Sequence, residues 1–366
     1  MLDNSFVSNT TAGCANQHYF ISDGNAKHTF ISFYRIKVGG RFDYSLSFSG
    51  LLDGTFRGIS FPNELCDSWE ILSIEAASAK SLPIGEAIKD IKGPEGLSIS
   101  PFTTLTFDGG NEGKKAVADI FSTDPTPMCF DAGDYLCLKL TVRGTKIPCH
   151  PETCIPVYEE KDGEWSYTVD APLPCKIGCN RPVSHKIGYF GDSITQGCGT
   201  TLNSYKQWNG TLSELIGDDY AHWNLGIGYG KASDAATLGN WFKRAESCDT
   251  VFLCFGVNDL NGDYPAETIC ANISKTVDAL KAAGCRVIVQ TPPPFDFPSE
   301  RAERWQKVNA YILDELSTRV EAVFDVRPVL SLSPEQPQMT KYGGHPDDTG
   351  CTVWANALYE AIKHLF

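Results

Sequence analysis

The sequence predicts an all-β sandwich over residues 1–182, followed by an α/β domain with a mostly parallel sheet over residues 183–366. Three observations predict it. The first half is built of short β-favouring runs separated by Gly, Asp, Asn and Pro, the second alternates strand patterns with helical periods, and a proline-rich stretch divides them.

In chain order, HTFISFYRIKV, DYSLSFSG, WEILSIEAAS, LSISPFTTLTF, DYLCLKLTV and WSYTVDA each fit a strand of roughly five to eight residues. In DYSLSFSG, Tyr44, Leu46 and Phe48 alternate with serines, the pattern of a sheet with one wet face. GGNEGKKA at 109–116 lacks the spacing and Ser/Thr of a phosphate loop, so a turn between strands is expected. APLPCKIGCNRPVSHK at 171–186 has three prolines and no sustained period, and is read as a linker with the boundary near residue 183.

Beyond it the strand candidates are HKIGYFG, AHWNLGIG, TVFLCFGVND, RVIVQTPPP and AVFDV. Helical stretches lie between them, PAETICANISKTVDALKAAG and SERAERWQKVNAYILDELSTRV among them, and the last helix is expected over 351–364. Ile269, Ile273, Val277 and Leu280 recur at helical spacing, and Gly284 suits a left-handed cap. Such alternation implies a parallel sheet covered by helices on both faces.

Of 366 residues, 42% are hydrophobic and 21% charged, which favours a globular chain over a disordered one. A formal charge of −14 argues against nucleic acid and anionic membranes as partners. The N-terminal residues lack the basic start and apolar core of a secretory signal, and no apolar run is long enough to span a bilayer, so a cytoplasmic location is expected. Most of the fourteen cysteines, Cys254 in TVFLCFG and Cys285 in GCRVIVQT among them, read as reduced, buried, small apolar residues. Cys149, His150, Cys154, Cys175, Cys179 and His185 cluster in the sequence, but their spacings match no standard zinc-ligand pair, and neither metal nor organic cofactor is expected.

Ligands of an open parallel sheet bind beyond the carboxyl ends of its strands. Three strands end there in unusual turns: Gly191, Asp192 and Ser193 after KIGYF; Gly226, Ile227, Gly228, Tyr229 and Gly230 after AHWNL; Val257, Asn258 and Asp259 after VFLCFG. A serine nucleophile needs a base and donors aimed at an oxyanion. The turns supply donors, and His345 in GGHPDDTG, held extended by Pro346, is placed to be the base. Taken singly, Ser193 could be an N-cap, Asn258 an Asx-turn residue and His345 a loop residue.

GDSI at 191–194, the glycine turn at 226–230, GVND at 256–259 and HP at 345–346 follow the order of the four blocks of the SGNH/GDSL hydrolase superfamily, which residues 186–366 resemble. The resemblance implies a flavodoxin-like hydrolase domain. It further implies Ser193 as nucleophile, His345 as general base and then acid, and an oxyanion hole made by the Ser193 N–H, a glycine N–H and the Asn258 amide. Two positions depart from the family. Tyr342 stands where an aspartate is usual, so either another acceptor such as a backbone carbonyl orients His345 or an acid reaches in from elsewhere, Asp347 and Asp348 being close but on the wrong side; a Ser–His dyad is the preferred expectation. Tyr229 stands at the usual oxyanion glycine, five residues after Asn224, so Gly228 or Gly230 is expected to donate, or the Tyr229 N–H itself.

A β-domain before such a hydrolase resembles the arrangement of carbohydrate esterases with a jelly-roll module. The implied activity is removal of O-acetyl groups from a xylan- or mannan-type oligosaccharide. A lipid esterase, an acyl-thioesterase and a non-catalytic carbohydrate-binding protein are the alternatives. Trp208, Trp223, Trp241, Trp305 and Trp354 are expected to be packing residues rather than sugar platforms.

Overall fold

The computed structural model describes residues 3–13, 15–91, 94, 96–108, 114–115 and 120–366. Most of the glycine-rich stretch 109–116, and Cys14, lie outside the described residues. The chain forms two compact units, one of residues 1–53, 63–182 and 201–204, the other of residues 54–62, 183–200 and 205–366. The division is therefore not a single break near residue 183, because a short segment from each half joins the opposite unit.

The first unit contains β1 (His18–Ile21), β2 (Lys27–Arg35), β3 (Gly40–Phe48), β4 (Trp69–Lys80), β5 (Phe121–Ser122), β6 (Thr126–Phe130), β7 (Tyr135–Gly144), β8 (Lys146–Pro151), β9 (Val157–Lys161), β10 (Glu164–Thr168), β11 (Asp170–Ala171) and β12 (Lys176–Cys179). Every pairing described among them is antiparallel. The larger sheet runs β4–β7–β2–β9–β10, the smaller one has β12–β3–β5, and a three-stranded sheet runs β11–β8–β1. Aromatic side chains join the two main sheets: Trp69 of β4 meets Phe121 of β5 at 6.3 Å, and Phe121 stacks on Phe48 of β3 at 5.9 Å. Burial of such rings is the main apolar contribution to this core.

Two sequence expectations change here. The serines of β3 do not face water: Ser45 is 5% and Ser47 2% exposed. Their hydroxyls are satisfied inside the protein, Ser45 Oγ donating to the Thr123 carbonyl at 2.7 Å and Ser47 Oγ bonding Ser122 Oγ at 2.9 Å, so burial leaves no orphaned group. The linker read over 171–186 contains β12, which pairs with β3 in the register Ile177↔Leu46. Gly178 fits that register because a Cβ there would stand 2.9 Å from the Ser45 carbonyl oxygen.

The second unit contains β13 (His185–Gly191), β14 (Tyr220–Asn224), β15 (Thr250–Cys254), β16 (Arg286–Gln290) and β17 (Ala322–Phe324), all parallel, in the spatial order β14–β13–β15–β16–β17. Numbered within the unit this is 2-1-3-4-5, a doubly wound order whose switch point falls between the first and third strands. The strands are buried throughout their centres, as a sheet covered on both faces requires. The helices used below are α1 (Ser193–Gln196), α2 (Trp208–Ile216), α3 (Ala232–Ala235), α4 (Val257–Asn261), α5 (Ala266–Ala282), α6 (Ser299–Asp314) and α7 (Asp348–Ile362). α7 begins three residues before the expected start, since the Asp347 carboxylate caps it by accepting from the Gly350 N–H at 2.8 Å.

All five tryptophans of this unit are buried, and Trp208 of α2 stacks on Trp354 of α7 at 5.1 Å. Among the described residues no helix is long and apolar enough to cross a membrane.

Candidate active site

β13 and β15 flank the switch point, so the turns that leave them open onto one crevice. β13 ends at Gly191 and the chain enters α1 two residues later. A Cβ at Gly191 would stand 2.1 Å from Thr195 Oγ1 and 2.7 Å from the Cys254 carbonyl oxygen, so only glycine allows the bend. Asp192, not Ser193, is the N-cap, its carboxylate accepting from the Ile194 N–H at 3.0 Å. Ser193 is therefore the first helical residue, one of those whose backbone N–H has no partner within the helix.

Ser193 Oγ lies 2.8 Å from His345 Nε2. Residues 152 apart in sequence thus meet at hydrogen-bond distance. The ring of His345 meets Phe295 edge-on at 5.5 Å. Gly199 lies against the histidine backbone, where a Cβ would approach the His345 carbonyl oxygen to 2.6 Å. Although one side of His345 is open to solvent, the protein around it desolvates the imidazolium and holds its pKa below the ordinary histidine range. No carboxylate among the described residues hydrogen-bonds to His345. Tyr342 instead covers Gly350, where a Cβ would stand 2.6 Å from the tyrosine Cβ, and Asp347 is committed to capping α7.

The second turn is fixed by buried amides. Asn224 at the end of β14 donates to the Gln196 carbonyl at 3.1 Å and accepts from the Gly226 N–H at 2.9 Å, which joins the turn to α1. Asn209 of α2 donates to the Thr195 carbonyl at 2.6 Å. Gly226 is needed for this approach, because a Cβ there would come within 2.0 Å of the Gln196 nitrogen.

Of the two glycines expected to supply an oxyanion donor, Gly230 gives its N–H to the Ile227 carbonyl at 3.1 Å, and neither Gly228 nor Gly230 has a positive φ. Tyr229 does, at 58°. That is the left-handed conformation for which glycine is ordinarily used. Tyr229 is 43% exposed and its ring meets Phe56 edge-on at 5.3 Å, while the Arg57 guanidinium lies 5.1 Å from the Phe56 ring centre.

The third turn begins α4. Asn258 Nδ2 donates to the Gly230 carbonyl at 3.1 Å, so the second and third turns are tied together. Asp259 is buried and accepts from the Ala232 N–H at 2.9 Å, which anchors α3. Burial pushes its pKa up to about 6, and pushes that of Asp192 up to about 7, with the charge of Asp259 adding to the latter.

Asp234 of α3 was not singled out by sequence reasoning, nor were Phe56 and Arg57. The Asp234 carboxylate accepts from the Thr55 N–H, the Thr55 hydroxyl and the Lys231 N–H, each at 3.0 Å, and so holds the 54–62 segment in this unit. Asp192 carries a sequence signal, an aspartate at a helix start. Phe56 and Arg57 carry none, since nothing local ties a hairpin in the β-rich half to a distant carboxylate.

No curated protein matches the chain. Among solved structures it is similar to a member of the lipolytic protein G-D-S-L family from Veillonella parvula DSM 2008, at 18% identity and TM-score 0.40, covering 49% of this chain and 98% of that one. It is also similar to the psychrotrophic esterase EstA from Pseudoalteromonas sp., at 16% identity and TM-score 0.40, covering 50% and 98% of the respective chains. A family two carbohydrate esterase from Cellvibrio japonicus aligns over 98% of this chain and 96% of its own, at 11% identity and TM-score 0.39. Residues 189–353, which contain all three turns and His345, match the model of the GDSL-like Lipase/Acylhydrolase family. Residues 189–353 of the chain are therefore a GDSL-like lipase/acylhydrolase domain.

Proposed function

We propose that the protein hydrolyses carboxylic esters through a Ser193–His345 dyad, and that its substrate is an O-acetylated oligosaccharide. The observation that carries the reading is the 2.8 Å separation of Ser193 Oγ and His345 Nε2 at the switch point of the sheet.

His345 Nε2 takes the Ser193 proton as Oγ bonds to the ester carbonyl carbon. The carbonyl electron pair moves onto oxygen, where the Ser193 N–H, the Tyr229 N–H and the Asn258 amide stabilise it. Tyr229 is preferred to Gly228 and Gly230 because it has the backbone conformation that explains a glycine at this position in the family. Asn258 would exchange its bond to the Gly230 carbonyl for one to the oxyanion. Collapse of the intermediate expels the alcohol, protonated by His345, and leaves an acyl-serine. Water, deprotonated by His345, then releases the carboxylic acid and restores the serine. No step needs an aspartate partner: Phe295 packs edge-on against the imidazole, Gly199 gives room to the His345 backbone, and desolvation favours the neutral ring that can accept the serine proton.

The sugar reading is supported by the exposed Tyr229 ring, the Phe56 edge and the Arg57 guanidinium, an aromatic face beside a polar group of the sort that binds pyranoses. The antiparallel unit is read as a jelly-roll-like accessory module.

The test is hydrolysis of aryl acetate, butyrate and octanoate, and then of acetylated xylo- and manno-oligosaccharides, by wild type and Ser193→Ala. Acetate should be released fastest and the variant should be inactive. Rates that rise with acyl length would replace this reading with a lipid esterase or thioesterase.

A further inference from the structure

The three-stranded sheet of the first unit, β11–β8–β1, places three different metal-ligating side chains on one face. His18 of β1 is paired directly with Cys149 of β8, and on the other side Pro151 of β8 is paired with Asp170 of β11. Side chains alternate faces along a strand, so Cys149 and Pro151 point the same way and all three potential ligands converge. Cys149 Sγ lies 3.4 Å from His18 Nε2, which in turn lies 3.1 Å from Asp170 Oδ1. The donor atoms are all within 4.8 Å of one another.

We propose that His18, Cys149 and Asp170 bind a zinc ion, with water in the fourth position. A tetrahedral zinc, with Zn–S about 2.3 Å and Zn–N or Zn–O about 2.0–2.1 Å, separates its ligand atoms by about 3.3–3.6 Å. The Cys149–His18 and His18–Asp170 separations lie within a few tenths of an ångström of that range, and the Cys149–Asp170 pair lies within 4.8 Å. The mixture of thiolate, imidazole and carboxylate is one that zinc accepts and that the hard oxygen-seeking cations do not.

A simple thiol–imidazole hydrogen bond fits less well. Sγ is almost equidistant from the two ring nitrogens, at 3.5 Å and 3.4 Å, so the distances single out neither as its partner. Metal binding replaces the thiol proton, which leaves to solvent, and the Zn–S bond offsets the cost of the buried thiolate. Cys149 is buried, whereas the Asp170 side chain is 48% and the His18 side chain 16% exposed, so the ion would enter from the aspartate side. The sequence cluster that includes Cys149 is otherwise dispersed: His150 pairs with Glu152 and His185 with Thr250. His18, far upstream, is the residue that makes the site.

The test is titration of the metal-stripped full chain with Zn²⁺ against a chromophoric chelator, and with Co²⁺ as a spectroscopic probe. One equivalent should bind, and cobalt should show a sulfur-to-metal charge-transfer band. Cys149→Ser should abolish the band, and Asp170→Asn should weaken zinc at least as much as the about 10–100-fold that loss of an outer-shell partner costs. Both variants should keep the wild-type circular dichroism spectrum, which shows that they fold, and wild-type hydrolysis of aryl acetate. The absence of a charge-transfer band in folded wild type would overturn the proposal. So would zinc affinity unchanged by Cys149→Ser.

Discussion

At the scale of single residues, the absence among the described residues of a carboxylate hydrogen-bonded to His345 has a measurable consequence. A partner carboxylate would raise the imidazole pKa, whereas desolvation alone lowers it. His345 must be neutral to act as a base, so kcat/KM should rise with pH through an apparent pKa below about 6.5 and then level off. An acid limb centred above that value would reveal a carboxylate at His345. Asn258→Ala removes one preorganised donor, for which the typical loss is about 2.7–4 kcal/mol of transition-state stabilisation, so kcat should fall by roughly 100- to 1,000-fold. Because the Asn258 amide also bonds the Gly230 carbonyl, circular dichroism should accompany the rate measurement. Near-normal turnover in the folded variant would remove Asn258 from the site.

At the scale of elements, the nucleophile turn depends on close approach and on a buried acid. Gly226→Ala places a methyl within 2.0 Å of the Gln196 nitrogen, a backbone atom that cannot move without shifting α1. Overpacking of this kind costs about 1–3 kcal/mol, and chemical denaturation should show that loss together with reduced turnover. Asp192 has a folded-state pKa of about 7 against an ordinary 3.8. The folded state therefore holds the proton more tightly, and the stability this group contributes is present below the ordinary pKa and lost as pH rises through about 7. Asn can still accept from the Ile194 N–H, so Asp192→Asn should gain stability relative to wild type as pH rises from about 4 to about 7. A difference that stays constant with pH would contradict the buried, proton-retaining carboxyl.

The same elements show what was legible in the sequence. The placement of Ser193 and Asn258 in turns after strands, and of His345 before the last helix, was legible because strand ends and turn residues mark where a parallel sheet opens to a crevice. Tyr229 was ambiguous because φ is not written in a run of alternating glycines. β12 was hidden by flanking prolines, and the buried serines of β3 by the rule that polar alternation means a wet face. Their partners, Thr123 and Ser122, lie too far along the chain to be foreseen.

At the scale of the whole molecule, the second unit is not the C-terminal half alone. Residues 54–62 belong to it, held by the Asp234 carboxylate. A fragment of residues 183–366 leaves that carboxylate without its two Thr55 donors, and a buried acceptor left unsatisfied costs about 1–3 kcal/mol. The fragment should melt below the full chain, with circular dichroism as the readout, and a peptide of residues 54–62 should raise its Tm. A fragment as stable as the full chain would show that the hairpin is dispensable.

The central claim is that Ser193 is a nucleophile activated by His345, and the most direct measurement of it is covalent trapping. Wild type, His345→Ala and Ser193→Ala would be treated with an aryl phosphonate ester and the modified peptide located by mass spectrometry. The account predicts one adduct, on Ser193, formed rapidly in wild type, slowed by orders of magnitude in His345→Ala and absent from Ser193→Ala. Folded wild type that remains unmodified, or that carries its adduct on another residue, would contradict it.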